Sequence, residues 1–197
     1  MWDQRYAEPG FAYGTEPNDF LRAQADQLPP GGEVICLADG EGRNGVFLAE
    51  RGHRVTAVDL STVGLKKAAG LAAERGVSIE TVHADLEDFD LGQDRWDGVV
   101  SVFCHMPPKI RTHLHRKIVR GLRPGGVLIL EAYSPAQLGR GTGGPPIIEM
   151  LYALDVCRAE LEGLTWVVAQ ETERAIKEGR YHDGESAVIQ LVGQKPR

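Results

Sequence analysis

The chain has 197 residues, of which 42% are hydrophobic and 25% charged, with 28 acidic against 22 basic side chains and a net charge of −6. That length fills one core and falls short of two ordinary domains, so a single domain over 1–197 is expected. An acidic chain gains nothing from counterion release on a phosphate backbone, which argues against nucleic acid as a partner. The run Lys109, Arg111, Arg116, Lys117, Arg120 and Arg123 reads as a solvated helix face rather than a binding stripe.

Met1-Trp2-Asp3-Gln4-Arg5 has no apolar signal core, and no apolar run approaches the roughly 20 residues of a membrane helix. Cys36, Cys104 and Cys157 are far apart and outside any C-x-x-C pair, against disulfides or structural zinc. His113 and His115 point to different sides of their helix, so no metal is expected there. Expected from these features is a cytoplasmic protein, monomeric or weakly dimeric, that touches neither membrane nor nucleic acid.

From Glu33 onward, β-rich runs alternate with helix-period segments. Val34–Leu37 is a strand, followed by a helix through Val46–Ala49. Arg54–Val58 is a second strand, and Ser61 caps a helix to about Arg75. Val77–Val82 and Gly98–Phe103 are strands three and four. Lys109–Gly121 is helical, with Ile110, Leu114, Ile118 and Leu122 on one face. Arg123-Pro124-Gly125-Gly126 is a turn into the fifth strand, Val127–Ala132.

The rhythm then changes. Ser134–Pro146 holds four glycines and three prolines, and 134–147 is expected to be a substrate-side loop. Ile147–Leu161 reads as a helix. Thr165–Gln170, extending toward Ala175, and Ser186–Val192 are strands joined through the turn-rich Lys177–Gly184, an antiparallel hairpin. The predicted class is α/β: a Rossmann-like three-layer sandwich, its seven-stranded, mostly parallel sheet closed by that hairpin.

Ala38-Asp39-Gly40-Glu41-Gly42-Arg43-Asn44-Gly45 leaves the first strand and opens a helix. Glycines there let the backbone approach a ligand, and the helix N-terminus offers free N–H groups. Asp59 ends the next strand, where a carboxylate can accept both ribose hydroxyls. Asp85 follows the third strand, placed to accept from an adenine amino group while Leu86 packs on the ring. Each feature has a bland reading as a common glycine turn, a cap neighbour or a solvated acid. Their shared order at successive strand ends carries the inference.

Gly40, Gly42 and Gly45 also fit the dinucleotide spacing G-x-G-x-x-G, which keeps an NAD(P)-dependent oxidoreductase open. Against it stand the long segment before the first strand, the lack of a second domain and the lack of a tyrosine followed four positions later by lysine. A non-catalytic sensor that binds S-adenosylmethionine is a further alternative.

Trp2-Asp3-x-x-Tyr6, Tyr13-Gly14-Thr15-Glu16-Pro17-Asn18, Leu37–Asn44, Val55–Asp59, Ala84-Asp85-Leu86, Leu122–Gly126 and Tyr181-His182-x-Gly184 together resemble class I S-adenosylmethionine-dependent methyltransferases, and among them the small tellurite-resistance type. The resemblance implies S-adenosylmethionine as cofactor, covered by the segment 1–32. Implied cofactor contacts are Ala38, Asp39, Gly40, Gly42 and Asn44 from the loop. Asp59, Leu60, Asp85, Leu86, Phe103 and Tyr13 complete that set. The class usually has an acid at the Cys36 position and glycine at Ala38, so this chain departs at both.

Methyl transfer to an already ionised or soft acceptor needs no base, whereas an alcohol or amine benefits from one. Candidate residues near the acceptor are His105, Tyr133, Arg180 and His182, with a chalcogen oxyanion such as tellurite or a thiol-like small molecule as acceptor. Each has a structural reading: His105 as a backbone-shaping histidine, Tyr133 as a core-edge aromatic, Arg180 and His182 as turn residues. Trp2, Tyr6 and Tyr13 can close over a sulfonium by cation–π contact or simply staple the N-terminal segment down. Met106-Pro107-Pro108 lacks the flanking residues of base-modifying amino-methyltransferases.

Overall fold

The computed structural model describes all 197 residues. Strands β1 (Glu33–Leu37), β2 (Arg54–Asp59), β3 (Glu80–His83), β4 (Trp96–Val102) and β5 (Leu122–Tyr133) run parallel. Strands β6 (Thr165–Glu178) and β7 (His182–Gln194) form an antiparallel hairpin, and β7 inserts beside β5 to give the order β3-β2-β1-β4-β5-β7-β6. The expected seven-stranded sheet with its terminal hairpin is therefore present.

Strand periodicity divides the core in two. Ile35 and Leu37 face one side, among Leu114 and Ile118 of α5 (Pro108–Gly121) and Cys157 of α6 (Leu154–Glu160). Val34 and Cys36 face the other, with Leu48 of α3 (Arg43–Glu50) and Phe20 and Leu21 of α2 (Asp19–Gln24). Alternate side chains on a doubly covered strand behave this way, and each buried leucine or isoleucine contributes about 1.5–3 kcal/mol. The 1–32 segment is consequently more than a cover. Its α1 (Trp2–Tyr6) lies on the start of α4 (Thr62–Glu74), where Asp3 accepts from Ser61 Oγ at 2.5 Å and Val63 N at 3.2 Å, while Phe20, Leu21, Ala25 and Leu28 complete the second core.

Four boundaries differ from those predicted. The third strand begins at Glu80 rather than Val77, because Val77 N donates to Ala72 O and Gly76 N to Ala73 O, with Gly76 left-handed at φ +72. That C-cap consumes the residues read as strand. The helix expected over Ile147–Leu161 is a 3-10 turn at Ile148–Met150, an extended bend and a short α6. Tyr152 N donates to Tyr133 O and its hydroxyl to Cys104 O at 2.6 Å, which holds the segment open against its propensity. The hairpin strands run on through most of Lys177–Gly184, leaving only Gly179–Tyr181 as the turn, and the Arg123–Gly126 turn is an irregular start to β5.

No helix is long and apolar enough to cross a membrane.

Candidate functional site

The sheet order reverses between β1 and β4, and the crevice beyond their carboxyl ends is the ligand position of open α/β sheets. Both strands end in a left-handed residue that is not glycine, Ala38 at φ +52 and Phe103 at φ +51. Such conformations cost on the order of 1–3 kcal/mol each and gather at functional sites. Gly40 at φ +59 and Gly42 at φ +89 continue the loop, and a Cβ on Gly42 would stand 2.6 Å from Ala68 of α4. Gly42 is what lets α3 and α4 pack so closely.

The loop's polar residues each tie down another part of the chain. Asp39 turns under the loop and accepts from Gly45 N at 3.1 Å, and burial lifts its carboxyl to about 7, with Asp59 adding to the rise. Glu41 accepts from Ala12 N at 2.7 Å and from Lys67 Nζ at 2.8 Å. Asn44 Oδ1 accepts from Asn18 N at 2.9 Å. Arg43 donates to Glu178 Oε2 at 2.7 Å, across 135 residues of sequence. Asp39 and Asn44 thus spend these side-chain bonds on the protein itself.

Asp59 is buried and accepts from Gly40 N and Ser61 N at 2.8 Å each, and burial raises its pKa. Leu60 beside it is exposed. Asp85 is exposed and accepts from Glu87 N at 2.9 Å. Leu86 departs from expectation: its side chain is enclosed in the core, leaving for a ligand the backbone N–H, which donates to no protein atom. Tyr6 leans on the loop, its hydroxyl 2.5 Å from where a Gly40 Cβ would be. Trp2 stacks on Tyr6 at 5.8 Å, and Tyr13 meets Tyr6 edge-on at 6.4 Å.

Opposite the loop, Glu178 lies buried between two cations and a histidine. Its Oε2 faces Arg43 and His182 Nδ1, the latter at 3.0 Å, and its Oε1 accepts from Asn18 Nδ2 at 2.9 Å. Arg174 is 3.9 Å away. Burial opposes ionisation of this carboxyl, but His182 and Arg43 outweigh it and hold the pKa down at about 2. An ionised carboxylate can only accept, so His182 Nδ1 is the donor and Nε2, which has no protein partner, carries the lone pair of the neutral ring. Burial, with Arg43 and Arg5 adding, pushes His182 below the ordinary histidine range despite Glu178. Its ring stands among Tyr13 at 4.5 Å, Phe103 at 4.7 Å and Tyr133 at 5.4 Å.

Two candidates are corrected. His105 is not poised as a base: Nδ1 binds Met150 O at 2.8 Å and Nε2 accepts from Tyr133 N at 3.2 Å, so both nitrogens brace backbone, and burial lowers its pKa to about 4. Arg180 is not free for an anion. Its guanidinium pairs with Glu8 at 3.1 Å and Pro9 O at 3.2 Å while its N–H holds Ala12 O, seating the hairpin turn on the N-terminal segment. Tyr133 is fully buried at 0% exposure, stacked on Phe103 at 4.5 Å, and its hydroxyl has no hydrogen-bond partner.

A second polar cluster lies away from the crevice between α5 and α6, where His115, Cys157 and Glu160 come together. Arg111 grips Glu160 through Nε and Nη2 at 3.0 Å each, and Thr112 Oγ1 donates at 2.7 Å. The glutamate is therefore committed to an ion pair beside a guanidinium.

Residues 34–126 match the family described as a methyltransferase domain. The 2-heptyl-1-hydroxyquinolin-4(1H)-one methyltransferase of Mycobacteroides abscessus is 29% identical over 75% of this chain and 66% of its own length. The chain spans 44 to 66% of the length of the curated relatives it matches first. Among solved structures, a SAM-dependent methyltransferase of Methanosarcina mazei superposes with a TM-score of 0.72 at 16% identity, covering 88% of this chain and 97% of that one. TehB of Haemophilus influenzae superposes with a TM-score of 0.73, also at 16% identity, covering 90% of this chain and 61% of that one. At such identities the likeness to solved structures is one of fold, and the dinucleotide alternative gives way to the family match. Residues 34–126 match a methyltransferase domain, and the chain shares the fold of S-adenosylmethionine-dependent methyltransferases.

Proposed function

We propose that this chain methylates a hydroxyl group of a small molecule, with His182 as general base held by Glu178. The observation that carries this reading is the His182–Glu178 pair: one ring nitrogen fixed on a buried carboxylate at 3.0 Å, the other unpartnered at the crevice among three aromatic rings. A hydroxyl is a poor nucleophile until its proton leaves, and a positioned base contributes about 10²–10⁴-fold. The Mycobacteroides relative, named for a hydroxyquinolone, supports a small hydroxylated acceptor.

The site's chemistry fits S-adenosylmethionine. Asp59 keeps lone pairs for ribose hydroxyls, and Asp85 with the free Leu86 N–H offers the acceptor–donor pair that matches an adenine edge. Leu60 supplies exposed apolar surface beside it. Ala38, Gly40 and Gly42 bring backbone close to the amino-acid end, and Tyr6, Tyr13 and Phe103 present aromatic surface toward a sulfonium. When bound, the cofactor supplies an electrophilic methyl group. This chain's residues orient the acceptor, take its proton on His182 Nε2 and stabilise the imidazolium through Glu178, while Tyr6, Tyr13 and Phe103 exclude water.

A chalcogen oxyanion or thiol acceptor, the reading that goes with the tellurite-resistance type, would want a free cation or no base. Arg180 is paired to Glu8, and Arg5 is engaged by the Tyr13 hydroxyl and the Trp2 and Tyr181 rings, which favours the hydroxyl. Turnover of S-adenosylmethionine over a panel of phenols, alcohols, thiols and tellurite tests the reading. His182→Gln should lower kcat on the hydroxyl acceptor about 10²–10⁴-fold, and the wild-type acidic limb should fall below the ordinary histidine value near 6.5. Equal kcat in the variant, or turnover confined to thiols and tellurite, would contradict it.

A further inference from the structure

The part of the 134–147 loop that lies on Tyr133 carries no side chain. Gly143 and Gly144, left-handed at φ +143 and +86, lie along its ring from hydroxyl to Cβ. A Cβ on Gly144 would stand 2.9 Å from Tyr133 Cδ2, and one on Gly143 would overlap Tyr133 Oη and reach within 3.0 Å of His182 Cδ2. The point above Gly143 therefore touches the orphaned tyrosine hydroxyl and the carbon bonded to His182 Nε2 at once. A buried hydroxyl without a partner is rare and calls for a cause.

We infer that Gly143–Gly144 occupies the seat of the methyl acceptor, and that the acceptor is a flat, apolar aromatic compound whose hydroxyl bridges Tyr133 Oη and His182 Nε2. This rests on the base reading of His182 and adds the substrate class. The two glycines span one tyrosine ring, so what replaces them is ring-sized and thin. The surrounding surfaces are Tyr133, Phe103, stacked on it at an interplanar angle of 21°, and His182, perpendicular at 85°, which favour an aromatic occupant. Polar demand is confined to a single point. Tyr133 Oη donates to the acceptor oxygen there while Nε2 takes its proton, so the acceptor's O–H bond breaks toward His182 as the new O–CH3 bond forms; the methyl's bond to the donor sulfur breaks, its electron pair staying on sulfur in S-adenosylhomocysteine.

The loop is built to leave. Its closed form is held by a few bonds: Gln137 Nε2 donates to Gly143 O at 3.1 Å and Thr142 Oγ1 at 2.9 Å, Thr142 Oγ1 donates to Glu185 O at 3.1 Å, and Asp183 N donates to Thr142 O at 3.0 Å. Leu138, Ile147 and Ile148 stand exposed along the same segment, an apolar lip for an apolar ligand. A plug that competes with the acceptor lowers apparent affinity by the fraction of open molecules, so loosening it tightens binding.

Binding of 2-naphthol, followed by its own fluorescence in the presence of S-adenosylhomocysteine, tests this, with naphthalene as the ligand lacking the hydroxyl. Tyr133→Phe should weaken 2-naphthol about tenfold and leave naphthalene unchanged. Gly143→Ala, which cannot seat over Tyr133, should tighten 2-naphthol several-fold. In the wild type, 2-naphthol should raise amide exchange of Gly141–Gly144, a readout independent of any variant. Equal 2-naphthol affinity in Tyr133→Phe, unchanged or weaker binding in folded Gly143→Ala, or unchanged exchange would overturn the inference. A protein that binds S-adenosylhomocysteine but no 2-naphthol overturns the acceptor class alone. One that binds no S-adenosylhomocysteine removes the methyltransferase reading beneath it.

Discussion

The crevice has two halves built by different means. On the β1–β2 side, one continuous stretch, Val34 to Asp59, supplies the loop, the helix N-terminus and the acid, so backbone geometry and local spacing define it. On the β4–β5 side the working groups come from four places: Phe103 after β4, Tyr133 at the end of β5, Gly143 in the loop and the Glu178–His182 pair at the hairpin turn. The first half is a motif and the second an assembly. On the proposed reading, a protein built this way can keep its methyl donor while changing its acceptor, because only the assembled half would meet the acceptor.

Arg43 joins the halves. It opens α3 directly behind the glycine loop and binds the carboxylate that positions His182. Replacing it by methionine leaves Glu178 buried without its strongest cation, which should cost about 3–5 kcal/mol, read as a lowered urea midpoint. Freed of a neighbouring cation, His182 should also titrate higher, moving the acidic limb of the rate profile upward. A variant as stable as wild type, with an unmoved limb, would show that the halves are independent.

An effect that appears only as pH changes belongs to the donor half. Asp39 holds its proton to about 7 in the folded state against 3.8 in a free chain. A raised pKa favours the folded state while the group is protonated, so its contribution is full below about 3.9 and disappears as pH climbs through 7. The slope for one proton is about 1.4 kcal/mol per pH unit between those values. Asp39→Asn should therefore gain stability relative to wild type as pH rises from 4 to 7, seen as diverging thermal midpoints. Parallel curves would place that carboxylate in a solvated setting.

Legibility in the sequence follows the same division. The five parallel strands and the hairpin were readable because both faces of β1 are covered and because Lys177–Gly184 is too short for a helix. The helix predicted from Ile147 failed because tertiary bonds from His105 and to Tyr133 override local propensity. Glu178 was missed entirely. It lies 135 residues from Arg43 and 160 from Asn18, and no spacing rule joins positions so distant. Its nearest signal was a charge at the end of a strand, next to the histidine that the resemblance had already marked. Arg180 misled because a cation in a turn looks free until Glu8 is seen beside it.

The most direct test is calorimetric titration of S-adenosylhomocysteine into wild type, Asp59→Ala and His182→Ala under one set of conditions. The division predicts wild-type affinity in His182→Ala and about a hundredfold loss in Asp59→Ala, the worth of a hydrogen-bonded carboxylate on two hydroxyls. Full affinity in Asp59→Ala, or equal losses in both variants, would contradict a donor half centred on Val34–Asp59 and an acceptor half assembled apart from it.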